Sequence, residues 1–324
     1  MDIYVKKAII HQFSPDDTDL YLADKLLNIT PKIEEYLRKK IERVYSDEAR
    51  TGIFEEDNPF LEMISDDLLE TSVAVANRWK EEFVVSENQK TNDLVFIQFS
   101  KEGVDHFAFL RIALRETLTH LGGEVDNPIK LTQNNLPGFG TGADEALVIN
   151  LQSRKYHLIE KRIKYNGTFL NYFSENLLQA QPKISPKKSI KALEKTAQKI
   201  AESFNTDDFQ FQSKVKSAIF NHIEEENKLS PEKLADDLFN DNLTARLSFS
   251  DQVKEAVPEP VTFEEIDASR QLKKFENQKL SLSNGIELIV PNNVYEDAES
   301  VEFILNENGT YSILIKNIED IQSK

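Results

Sequence analysis

The chain opens on an apolar, β-branched run, Ile3-Tyr4-Val5-Lys6-Lys7-Ala8-Ile9-Ile10-His11-Gln12-Phe13, which stops at the turn-forming Ser14-Pro15-Asp16-Asp17 and predicts a strand. Thr30 before Pro31 has the form of an N-cap followed by proline in the first helical position. Ile33, Leu37, Ile41 and Val44 then recur at helical spacing, so a helix is predicted over about 31–46. Asn58-Pro59 repeats the device and opens a longer helix, predicted to reach about 86, with Phe60, Ile64, Leu68, Val75 and Trp79 on or near one face. Two apolar runs, 93–99 and 104–113, flank Ser100-Lys101-Glu102-Gly103, the layout of a β-hairpin whose glycine supplies a positive φ. Further strands are predicted at 128–132, 146–151 and 156–161, with the Gly-rich segment 137–142 joining the first two.

From Thr168 the period becomes helical, with Phe169, Leu170, Phe173, Leu177 and Leu178 forming an apolar face that ends at Gln181-Pro182. A linker is predicted at 182–186. The next helix sets Ile190, Leu193, Ala197, Ile200 and Phe204 on one side and Lys187, Lys191, Lys195 and Lys199 at i, i+4 steps on the other. Val215, Ile219, His222 and Ile223 mark another helix, and Ser230-Pro231 caps a short one through Leu238. A second linker is predicted at Pro258-Glu259-Pro260. Thr262-Phe263-Glu264-Glu265 has the T-x-x-E form of a capping box, heading a helix to about Phe275. Two hairpins close the chain, one turning through Ser283-Asn284-Gly285 and one through Asn306-Glu307-Asn308-Gly309. The expected class is α+β: an N-terminal mainly antiparallel sheet with helices over 1–165, a central helical region over 166–257, and a C-terminal helix plus β-hairpins over 258–324.

Composition narrows the class. A chain of 324 residues, 40% hydrophobic, builds real cores. No stretch approaches the roughly 18 uninterrupted apolar residues of a membrane span, and Met1-Asp2-Ile3-Tyr4 lacks the layout of a signal peptide, so a cytoplasmic protein with no membrane partner is expected. The absence of cysteine excludes disulfides, thiolate zinc sites and cysteine nucleophiles.

A formal net charge of -17 opposes contact with a phosphate backbone over most of the surface. The charge is uneven, however. Glu55, Glu56, Asp57, Glu62, Asp66, Asp67 and Glu70 crowd 55–70 with no cation between them, and 287–324 holds eight acids against Lys316 and Lys324. By contrast, Arg154, Lys155, Lys161, Arg162 and Lys164 face only Glu160 within 154–164, and six lysines face only Glu194 within 183–199. Those two segments are the candidate nucleic-acid-binding surfaces.

Taken in order, several stretches resemble the bacterial 37-kDa nucleoid-associated protein family of the NdpA type over nearly the whole chain. They are Ile9-Ile10-His11-Gln12, Arg43-Val44-Tyr45-Ser46, Gly52-Ile53-Phe54, the run 144–151, Lys161-Arg162 leading into Phe169-Leu170-Asn171-Tyr172-Phe173, and Leu272-Lys273-Lys274-Phe275. The resemblance implies residence on the nucleoid and contact with DNA or with a nucleoid protein partner. It implies no reaction.

Candidate chemistry is sparse. The lysine ridge can track double-stranded DNA phosphates without reading bases, against the plainer reading of a solvated helix face. In 154–164 the interleaved Tyr156 and Tyr165 are either stacking groups or packing. Gly138-Phe139-Gly140-Thr141-Gly142 lacks the Gly-Lys-Ser/Thr ending of a phosphate-binding loop and precedes a strand, so it reads as a mobile loop. His11, His106, His120, His157 and His222 show no ligand spacing, and the acidic pairs Asp66-Asp67 and Asp236-Asp237 point apart on a helix. No catalytic residue, cofactor or metal is therefore expected. The reading is a non-enzymatic nucleoid-associated protein that binds DNA without sequence specificity. The alternatives are an acidic scaffold recruited by a nucleoid protein and, more distantly, a metal-dependent nuclease. Assembly as a homo-oligomer is left open.

Overall fold

Strands that are apolar at nearly every position must be covered on both faces, and that requirement organises the N-terminal half of the chain. The computed structural model describes residues 1–83, 90–120, 129–206, 208–263 and 265–322, and in it the chain separates into two units, Met1–Ser185 and Pro186–Lys324. The first unit begins β1 (Ile3–Ser14), β2 (Asp19–Tyr21), α1 (Pro31–Glu42), β3 (Arg50–Ile53), α2 (Pro59–Glu62) and α3 (Leu68–Phe83). It continues β4 (Asn92–Lys101), β5 (Val104–Ala113), β6 (Arg115–His120), β7 (Ile129–Asn135), β8 (Glu145–Asn150), β9 (Lys155–Ile159), β10 (Ile163–Tyr165) and β11 (Thr168–Leu170). A single π-helical turn, Phe173–Leu177, follows.

Seven strands form one antiparallel sheet in the order β2-β1-β4-β5-β8-β9-β3. On one face Leu37, Ile41 and Val44 of α1 and its C-terminal end share a core with Val95, Ile97, Phe99, Ala108 and Leu110. On the other, Trp79 and Phe83 of α3 with Tyr172 and Phe173 share a core with Phe96, Phe107, Phe109 and Leu147. The alternate residues of β4 and β5 thus go to opposite cores, which is why their sequences are apolar throughout. In β1 the register against β4 shifts between Val5 and Lys7, a bulge that moves Ile3, Val5 and Ala8 to the α1 face and Ile9, His11 and Phe13 to the α3 face.

His11 is fully buried on that second face. Its Nδ1 accepts the Ala23 N–H at 3.0 Å, so Nε2 carries the proton that meets the Ser72 hydroxyl at 2.9 Å, and the ring is neutral. Burial holds its pKa below the ordinary 6.5. A base whose folded pKa is depressed gives stability that is present above about pH 6.5 and is lost as pH falls through the lower folded value. The first unit is therefore expected to lose thermal stability between pH 7 and pH 5.5, and His11→Gln, which keeps an acceptor for Ala23, is expected to lose less over the same interval. Equal losses in the two proteins would show that His11 is not the titrating group; His106, also lowered by burial, is the common background.

The second unit runs α4 (Pro186–Ser203), α5 (Phe209–Glu226), β12 (Lys228–Leu229), α6 (Pro231–Leu238), α7 (Leu243–Ala256), β13 (Val261–Thr262) and α8 (Glu265–Phe275). Then come β14 (Asn277–Ser281), β15 (Glu287–Pro291), α9 (Asn292–Tyr295), β16 (Val301–Leu305) and β17 (Tyr311–Ile315). Its core joins Leu193, Ala197, Ile219, Ile223, Leu234, Phe249, Val253 and Phe263. The hairpin β14-β15 is tied to α5 by a buried amide cluster in which Gln278 and Ser217 each donate to Asn292 Oδ1 at 2.7 Å. Phe303 and Tyr311 of the last hairpin pack edge-on against Phe209 of α5. The fold is mixed α+β, with an N-terminal seven-stranded antiparallel sheet, central helices and C-terminal hairpins.

Three local readings change. The helix predicted from 59 to 86 is two helices, because Ser65 and Asp67 turn their side chains onto the backbone between them: Asp67 Oδ1 accepts the Leu69 N–H at 2.8 Å and Ser65 Oγ meets the Asp67 carbonyl at 3.2 Å. The helix predicted from 168 is a short hairpin, β10-β11, turning through Asn166-Gly167 at positive φ, followed by the π turn. Helix α7 was not anticipated. Tyr172, Phe173, Leu177 and Leu178 fill the sheet's core in the first unit, and Val261 and Phe263 fill the helical core in the second. Residues 84–86 of the predicted long helix, Pro128 of the predicted strand and Glu264 of the capping box lie outside the described residues.

Candidate nucleic-acid interface

Helix α4 forms because its apolar positions recur at three and four residues, which buries Ile190, Leu193, Ala197 and Ile200 on one side. Lys187, Lys191, Lys195 and Lys199 are left exposed on the other. Four residues rise about 6 Å and turn about 400°, so the ridge extends about 18 Å and fans through about 120° of the helix surface. That length matches the axial span of about five phosphates on one strand. Lys199 Nζ donates to Gln252 of α7 at 3.1 Å, a neutral partner that leaves its charge uncompensated. The one acid in this stretch, Glu194, stands at i+3 from Lys191 and i+7 from Lys187, at the edge of the ridge; it is partly buried, and burial raises its pKa against the opposing charge of Lys216.

The segment 154–164 is differently placed. Arg154 pairs with Glu56 at 2.9 Å, and Lys161 pairs with Asp144 at 2.7 Å. Arg162 Nε donates to Asn171 at 3.3 Å, while Lys155 and Lys164 are exposed on β9 and β10. Tyr156 is 1% exposed and belongs to the sheet core, so of the two interleaved tyrosines only Tyr165 is at the surface. The segment is net positive in sequence, but acids distant in the chain, Glu56 and Asp144, fold against Arg154 and Lys161. The two basic segments lie in different units.

The glycine loop 137–142 is held in place, contrary to the expectation of mobility. The Lys40 ammonium, fully buried beneath it, donates to the carbonyls of Pro137 at 3.3 Å, Gly138 at 2.9 Å and Thr141 at 2.5 Å. Burial, helped by the charges of Arg43 and Arg115, pushes the Lys40 pKa down to about 8. Nothing in the local sequence marks Lys40 for this role, because only the loop arriving about 100 residues later covers it.

Two further histidines make hydrogen bonds within the fold. His106 Nδ1 meets the Val104 carbonyl at 2.9 Å and His222 Nε2 meets Asp237 at 2.6 Å. Among the described residues no group of three His, Asp or Glu side chains is arranged to hold a metal ion, and no helix is long and apolar enough to cross a membrane. Compared with known families, residues 9–321 match the sequence model of the family described as nucleoid-associated protein YejK. No curated protein matches the chain.

Proposed function

The chain belongs to the YejK family of nucleoid-associated proteins, and on that premise we propose that it is a non-enzymatic protein that binds double-stranded DNA without reading its sequence, through the exposed lysines of α4. The observation that carries this reading is the ridge Lys187, Lys191, Lys195 and Lys199, exposed on the side of α4 away from its buried stripe, with a single and partly buried acid within 183–199, Glu194, at its edge. Lysine is a point charge and offers no bidentate fork to a base edge, so contacts of this kind position a protein on the duplex without specifying a site. In a chain of net charge -17 such a local reversal of sign concentrates DNA contact on one face.

The test is a mobility-shift titration of the purified protein on two unrelated duplexes at two salt concentrations. Four phosphate contacts give a log-log slope of about -3.6, which is a loss of roughly 100-fold in affinity between about 50 and 200 mM salt, equal for both duplexes. A second reading, an acidic scaffold brought to the nucleoid by a protein partner, is favoured by the pairing of Arg154 with Glu56 and Lys161 with Asp144, which cancels charge in the other basic segment. Under that reading naked DNA is not bound at either salt concentration.

A further inference from the structure

We propose that the glycine loop 137–142 is a binding site for the phosphate group of a nucleotide, with its outward backbone amides and the guanidinium groups of Arg43 and Arg115 as donors and Phe139 as the surface for the base. The proposal concerns the first unit and does not rest on the lysines of α4.

Helix α1 presents Tyr36, Lys40 and the following Arg43 to the loop at i, i+4 and i+7. The Tyr36 hydroxyl donates to the Pro137 carbonyl at 3.0 Å, and the buried Lys40 ammonium draws in the carbonyls of Pro137, Gly138 and Thr141. In a planar trans peptide the N–H points opposite to the C=O. No peptide bond among the described residues is cis. The carbonyls drawn onto Lys40 therefore turn the N–H groups of Gly138, Phe139 and Gly142 away from it, toward the side on which residues 138–140 are exposed. Among the described residues none of these three N–H groups has a hydrogen-bond partner. Successive amides presented in this way make an anion-binding surface even without the helix N-terminus of a nucleotide-binding P-loop.

Positive charge gathers at the same place. Arg43 Nη2 lies 4.0 Å from the position a Cβ on Gly140 would take, and its Cδ lies 3.8 Å from that of Gly142. Arg115 is near enough for its charge to act on Lys40 together with that of Arg43. Both arginines are exposed, and among the described residues neither side chain has an ion-pair or hydrogen-bond partner. The acid that acts on Lys40, Asp144, is already engaged by Lys161 at 2.7 Å and by the Ala113 N–H at 2.9 Å. Three cations with no anion of their own repel one another, and a bound phosphate offsets that repulsion. Phe139 gives the site its second feature. Its ring is 44% exposed yet fixed edge-on against Tyr36, at 5.4 Å and 84°, so it offers a preset aromatic face of the kind on which bases stack.

Ten glycines make selective [15N]glycine labelling of the full chain a direct readout, because the Gly138 and Gly142 amides are themselves proposed ligands. Titration with thymidine monophosphate or a short oligothymidylate is expected to shift those two resonances saturably. Inorganic phosphate should shift them with weaker affinity, and thymidine should not. The exposed double substitution Arg43→Gln with Arg115→Gln should weaken every phosphate-bearing probe at least about tenfold, whereas Phe139→Ala should weaken the nucleotide and leave phosphate unchanged. An oligothymidylate that binds more tightly than the mononucleotide identifies a nucleic-acid strand as the ligand, and equal affinity identifies a free nucleotide. The proposal is overturned if no phosphate-bearing probe moves Gly138 and Gly142 at millimolar concentration, or if the shifts survive the arginine double substitution with the same affinity.

Discussion

Arg111→Met is expected to destabilise the first unit by about 3–5 kcal/mol, because it strands a carboxylate that has no access to water. Glu145, at the head of β8, is 0% exposed. It accepts from Arg111 Nε at 2.5 Å, from the Lys161 N–H at 3.2 Å and from the Tyr172 hydroxyl, and that hydroxyl in turn accepts from Trp79 Nε1 at 3.1 Å. Arg111 also donates to Asn92 at 2.9 Å and lies over the Phe83 ring at 5.2 Å. Burial, reinforced by the neighbouring carboxylate, holds the Tyr172 pKa well above its ordinary value, so it remains a donor across the physiological range. The network clamps β5, β8, α3 and the π turn at one point, and methionine fills the space without supplying the charge. Trp79 is the chain's single tryptophan, so its fluorescence in a urea titration reports this unit alone. Adding Glu145→Gln to Arg111→Met should recover a large part of the loss, since most of it is the uncompensated charge and little of it is the worth of the pair. A loss under about 1 kcal/mol in the single variant, or no recovery in the double, would show that water reaches Glu145.

The same network explains what the family-like stretches encode. Glu145, Lys161, Tyr172 and Phe173 all sit in or beside the buried cluster. In Gly52-Ile53-Phe54, a Cβ on Gly52 would come within 2.3 Å of the Tyr156 hydroxyl, so that glycine is required by the packing of β3 on β9. The stretches that carry these residues specify the sheet and its core, while Leu272 and Phe275 pack against the helical core of the second unit.

What was legible in the sequence was whatever depends on neighbours within one turn or one hairpin. The Thr30-Pro31 cap, the hairpin glycines at 103, 285 and 309, and the two sides of α4 follow from spacing alone. Contacts between distant segments were not legible. Lys40 reads as a solvated helix lysine until the loop from 137 closes over it, and Arg154 and Lys161 read as free cations until Glu56 and Asp144 fold against them. Asn166-Gly167 is a hairpin-type dipeptide that the helical reading from Thr168 passed over, because the apolar residues after it also fit a helical period, and burial distinguishes the two: Phe169 is 61% exposed while Phe173 is fully buried.

Replacing Lys187, Lys191, Lys195 and Lys199 together by glutamine is expected to lower affinity for duplex DNA by about 100- to 1000-fold at about 200 mM salt and by more at lower salt, equally for unrelated sequences. The loss follows from counterion release, since each phosphate contact removed takes about 0.9 from the log-log salt slope, and the four together flatten it by about 3.6. Folding should be nearly unaffected. All four side chains are exposed, the buried stripe Ile190, Leu193, Ala197 and Ile200 is untouched, and glutamine has a helix propensity close to that of lysine. The comparison variant replaces Lys155, Arg162 and Lys164 of the other segment, and it should cost less because Glu56 and Asp144, paired with Arg154 and Lys161, already offset the field there. If the α4 variant binds as tightly as the parent with an unchanged slope, the ridge is a solvated face. If both variants bind as the parent does, DNA contact lies elsewhere in the chain, and if the parent itself ignores naked DNA, recruitment by a protein partner is the better account.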